Sequence, residues 1–133
     1  MLKFRTLFVL ATAAALGTAC ARFGQASAAG NVIDPADAAT TVVLHVDNMN
    51  TQPMELRAIM NGQSKFIGSV GGQDSTSILL DPSWFPTGFL YVAAIPADGR
   101  GRAIAGPLAA AKGDKINFSV QPALDQSRAL VVR

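Results

Sequence analysis

Cysteine is almost missing from this chain of 133 residues: Cys20 is the single one, so no internal disulfide is available. Histidine and tryptophan also occur once each, as His45 and Trp84, and Glu55 is the only glutamate. One imidazole and one thiol cannot supply the nitrogen and sulfur ligands of a zinc site. A lone glutamate among aspartates that sit at turns does not provide the two converging acids of glycoside hydrolysis. Charged residues make up 15% of the chain, against about 25% in an ordinary soluble domain. The formal charge of +2 comes from 11 Lys and Arg against 9 Asp and Glu, and Lys3 and Arg5 at the N-terminus account for the excess. The remaining basic residues are scattered, which leaves nucleic acid without the clustered cations that displace its counterions. No Gly-rich loop precedes a helix and no G-x-S-x-G is present, so nucleotide cradles and nucleophile elbows are excluded. No apolar run reaches the roughly 20 residues of a membrane-spanning helix.

The N-terminus nevertheless has a recognisable order. After Lys3 and Arg5, the uncharged stretch Leu7-Phe8-Val9-Leu10-Ala11-Thr12-Ala13-Ala14-Ala15-Leu16 forms the apolar core of an export signal. Leu16-Gly17-Thr18-Ala19-Cys20 then resembles the lipobox of bacterial lipoproteins, with Gly17 where that family usually has Leu. The resemblance implies cleavage before Cys20, acylation of its thiol, and an anchor of several acyl chains, which holds stably where one chain is marginal. It also implies the outer membrane, because Ala21 rather than Asp follows the cysteine. Ordinary signal-peptidase sites at Ala26-Ser27-Ala28 and Ala19-Cys20-Ala21 are the alternatives. A lone thiol is a liability in an oxidising compartment, and acylation removes it.

These readings divide the chain into a signal peptide (1–19), a lipidated N-terminus with a flexible linker (20–39) and a folded domain (40–133). The linker is small and polar and lacks sustained periodicity. An alternative for its end is one helical turn over Asp34-Pro35-Ala36-Asp37-Ala38-Ala39, with Asp34 as N-cap and Pro35 in the first position.

From Thr40 the apolar period is two. Val42, Leu44 and Val46 share one face and His45 the other, and Met54, Leu56, Ala58 and Met60 repeat the pattern. Asn61-Gly62 predicts a hairpin turn, with a strand returning over Lys65 to Val70. Ser75 to Leu80 is a fourth run, followed by the longest loop, Asp81 to Gly88. Phe89 to Ile95 is apolar on both parities, which predicts a central strand covered on both sides. Pro107 marks an edge strand. Ile116, Phe118 and Val120 alternate with polar residues, and Ala129 to Val132 ends the chain as a last strand. Seven or eight short strands with turns every eight to twelve residues predict an all-β fold, a single antiparallel β-sandwich.

The order Leu44-His45-Val46-Asp47-Asn48, a strand ending in Asn-Gly, Phe66-Ile67-Gly68-Ser69-Val70, Leu90-Tyr91-Val92-Ala93 and Gly113-Asp114-Lys115-Ile116 resembles small uncharacterised bacterial envelope lipoproteins with one immunoglobulin-like or transthyretin-like domain. These motifs are structural, so the resemblance implies a fold and not an activity.

His45 has no oriented nucleophile beside it in the sequence. Asp47, Asn48 and Asn50 share a loop without EF-hand spacing, and turn chemistry accounts for them. Arg100 and Arg102 read as solvated. Trp84 and Phe85, between Pro82 and Pro86, are the candidate interaction loop, with a plug for the open end of the core as the competing role. No catalytic residue, metal or cofactor is expected. The expected protein is a non-enzymatic, lipid-anchored envelope protein, structural or binding another envelope protein, with a soluble secreted or periplasmic carrier of a small ligand as the alternative.

Overall fold

The computed structural model describes residues 33–133. The signal peptide, Cys20 and the tether up to Val32 lie outside the described residues.

The described chain opens with a short helix, α1 (Pro35–Thr40). The Asp34 carboxylate accepts from the Ala36 N–H at 2.8 Å, and Pro35 occupies the first turn, where no N–H is needed. The end of the expected linker is therefore the helical turn that its capping residues allow.

Eight strands follow: β1 (Val42–Asn48), β2 (Met54–Met60), β3 (Gln63–Val70), β4 (Ser75–Leu80), β5 (Phe89–Pro96), β6 (Ala103–Ala109), β7 (Lys115–Val120) and β8 (Arg128–Val132). They form two four-stranded sheets, ordered β4-β1-β7-β8 and β3-β2-β5-β6, the sandwich that the alternation predicts. Every pairing is antiparallel except β1 with β7, where Leu44 stands beside Ile116 and Val46 beside Phe118 in a parallel ladder. A parallel pair needs a long crossover. Here the intervening strands supply it.

The inward parity packs as its sequence requires. Val42, Leu44, Val46, Ile116, Phe118 and Val120 from one sheet meet Met54, Leu56, Ala58, Leu90, Val92 and Ala94 from the other, all buried. Removing a side chain the size of Phe118 from such a core costs about 3–5 kcal/mol. The β2–β3 hairpin turns at Asn61 and Gly62, whose φ angles of 49° and 77° are those of the twisted two-residue turn that Asn-Gly favours.

The two sides of the sandwich differ. β6 and β8 approach each other on one side, where the one-turn segment Leu124–Gln126 brings Leu124 against the core. On the other side β3 and β4 border a groove of about 580 Å³, lined by Ile33, Ile67, Gly68, Thr76, Ser77 and Ile78.

The double cover predicted for β5 is not found. β5 is central in its sheet, between β2 and β6, but only one of its faces is covered. Leu90, Val92 and Ala94 point into the core, whereas Phe89 and Tyr91 are exposed on the outside. Apolar residues on both parities mark a strand that avoids water on both faces, and a single sandwich provides a partner layer for only one.

Candidate functional site

The loop after β4 is built from its first residue. Asp81 caps a single 3-10 turn, Pro82–Trp84, by accepting from the Ser83 N–H at 2.9 Å. That bond, and then the Ser83 hydroxyl, hold the exposed Asp81 carboxyl below the ordinary carboxylate range. The turn sends the two aromatics in different directions. Phe85 is buried in the core, so it takes the plug role. Trp84 is half-buried, packed against the core on one side, with Lys65 Nζ 3.4 Å from its ring centroid on the other. Beside this pair, Met60, Asn61, Gln63 and Ser64 of the β2–β3 hairpin line a recess of about 420 Å³. Lys65 was not singled out from the sequence. Its contact with Trp84 joins residues on separate elements, and no local pattern carries such a pairing.

The Asn48 side chain knits the opposite end of the sandwich. Its Nδ2 donates to the Gln52 and Gly71 carbonyls, each at 2.8 Å, and its Oδ1 accepts from the Asn50 N–H at 3.0 Å. Asn50 repeats the device by accepting from the Gln52 N–H. These are the turn roles expected for Asn48 and Asn50. Gly72 lies against the Thr51 carbonyl so closely that a Cβ there has no room. Among the described residues no three His, Cys, Asp or Glu side chains gather where a metal ion could be held.

His45 lies on the outward face of β1, directly opposite Ser77 on β4, and its Nδ1 is 2.9 Å from the Ser77 hydroxyl. No local pattern in the sequence points to this serine, which is 32 residues away along the chain. The pair spans one rung of the ladder, with Asn117 of β7 on the other side of His45. β1 is interior, so its ladders on both sides engage its backbone. Ser77 also lines the groove between the β3 and β4 edges.

The class defined by these elements is an eight-stranded β-sandwich with polar end loops and one half-buried tryptophan. No helix among the described residues is long and apolar enough to cross a membrane. No family model and no curated protein matches the chain. Among solved structures, the NMR structure of a protein from Eubacterium rectale is similar, at 13% identity and a TM-score of 0.45, over 73% of this chain and 93% of that one.

Proposed function

We propose that this is a non-enzymatic protein of the bacterial cell envelope, anchored by acyl chains on Cys20, whose sandwich serves structurally or binds another envelope protein. The observation that carries the reading is the order of the N-terminus: two cations, ten uncharged and mainly apolar residues, and small residues leading to the one cysteine of the chain. In this reading the protein belongs with the small envelope lipoproteins that its strand motifs resemble, and Ala21 directs it to the outer membrane, facing the periplasm.

The folded part supports the same assignment. The runner-up, a soluble carrier, needs a cavity between the sheets, and that space is occupied by Leu44, Phe118, Leu56 and Leu90. The loop at Trp84 supports a binding role, because a half-buried aromatic under a cation, next to a recess, suits an anchor for a partner.

Detergent-phase partitioning of the protein and of its Cys20→Ala variant tests the anchor. The expected result is a native protein in the detergent phase and a variant in the aqueous phase. A native protein that already partitions into the aqueous phase contradicts it.

A further inference from the structure

The four sheet edges are not defended alike. An exposed strand edge is ordinarily blunted by a charge, a proline or a bulge. β3 carries Lys65 and, at the register shift opposite Leu56 and Arg57, the unpaired Ile67 of a bulge. β6 has Gly106-Pro107 and a register shift of its own, and β8 opens with Arg128 and approaches β6. β4 has none of these devices. Its six residues, Ser75–Leu80, are uncharged and pair with β1 in unbroken register. The bond from the Asn48 N–H to the Asp74 carbonyl sets the alternation, so the backbone groups of Ser77 and Leu79 turn away from β1, and both residues line the groove beside β3.

We infer that the chain's own tether covers this edge: residues 26–32 continue from Ile33 into the groove and lie along β4 as an added strand. Position identifies the occupant. Ile33, the first described residue, is half-buried in the lining of the groove, and Asp34, the cap of α1, lines it too. The residues before Ile33 therefore start from within the groove. They meet the β4 edge at the high effective concentration of a short linker, ahead of any separate partner. Composition fits the role. Residues 21–32 include one charge, Arg22, and no proline, and they end in Ala26-Ser27-Ala28-Ala29-Gly30-Asn31-Val32. An uncharged segment suits a groove walled by Ile67 and Ile78, which already pack against the core.

Length permits it. The twelve residues 21–32, extended at about 3.3 Å each, reach about 40 Å. The six residues of β4 span about 20 Å. The segment covers the whole edge and still leaves about half its length to Cys20. Pairing thus shortens the leash between Cys20 and the domain to about 20 Å. That consequence rests on the cleavage proposed before Cys20, whereas the pairing itself does not.

Amide hydrogen exchange followed by NMR tests it on the chain that begins at residue 20 and carries Cys20→Ala, so that neither processing nor acylation enters the result. The expected result is exchange in residues 28–32 slowed at least about tenfold against an unstructured peptide, with contacts from this segment to the Ile67 and Ile78 methyl groups. An added strand bonds through alternate N–H groups, so Gly30→Pro and Asn31→Pro remove a donor of each parity. At least one of them returns the remaining amides of the segment to the peptide rates. Protected amides in β1 and β7 verify that each variant is folded, and where a variant loses them the exchange and contacts of the parent chain decide. Peptide rates throughout residues 26–32 of the parent, contacts confined to the outer face at Phe89 and Tyr91, or protection that survives both prolines overturns the inference. So does protection found only in a dimer, which sedimentation equilibrium detects and which makes the occupant the tether of a second copy.

Discussion

Lys65 places its ammonium group 3.4 Å from the centroid of the Trp84 ring, so a cation from the β2–β3 hairpin lies over the aromatic of the loop that follows β4. The two neighbouring aromatics of that loop have separate tasks. Phe85 is buried and Trp84 is half-buried beneath Lys65. Phe85→Ala is expected to cost about 3–5 kcal/mol of stability, as for other buried aromatics. Trp84→Ala costs less, about 1–2 kcal/mol, because part of its surface is already in water. Lys65→Ala costs about 0.5–1 kcal/mol and shifts the emission of Trp84, the sole tryptophan. Urea denaturation of the three variants measures the order. An equal loss from Trp84→Ala and Phe85→Ala contradicts the division of roles.

At the other end, Asn48 is 1% exposed and uses its whole amide to join the β1–β2 loop to the β3–β4 turn. Asn48→Ala leaves the Gln52 and Gly71 carbonyls without this donor, and a loss of about 2–4 kcal/mol is expected. Asn48→Asp directs a carboxylate at two carbonyl oxygens, which disfavours its charged form. An acid whose folded-state pKa is raised destabilises increasingly as pH rises, so this variant is expected to melt at a lower temperature at pH about 7 than at about 4, relative to the native chain. Thermal melts at both pH values check the sign.

Two exposed carboxylates are held below their ordinary range. The Arg100 N–H and then the Gln52 side-chain amide hold Asp98 below the ordinary value of 3.8, as Ser83 does for Asp81. For a depressed acid, the stabilisation is present above the unfolded-state pKa and is lost as pH falls through the folded value. Protonation is therefore expected to loosen these two turns only below pH 3.8. Carbon-detected NMR titration of the two carboxyls measures this, and midpoints at or above 3.8 contradict it.

Much of the fold was legible in the sequence, because the inward parity of each strand carries its own signal. Val42, Leu44 and Val46 announce their face, and Asn61-Gly62 announces its turn. The parallel pairing of β1 with β7 was not legible, since period two is the same for both strand directions. β5 was half legible: its central place follows from its composition, but its outer face is left to water at Phe89 and Tyr91. At the candidate site, the sequence singled out Trp84 and Phe85 but neither Lys65 nor the rung between His45 and Ser77. Those contacts arise from strand pairing and loop packing, which local residue order does not encode. The N-cap at Asp34 was legible from four residues, because capping is local chemistry.

The acylated cysteine is the centre of the functional account, and intact mass spectrometry of the processed protein purified from bacterial membranes tests it most directly. The account predicts a chain that begins at Cys20 and carries the mass of its acyl chains. A chain beginning at Ala21 or later, or one beginning at an unmodified Cys20, contradicts it.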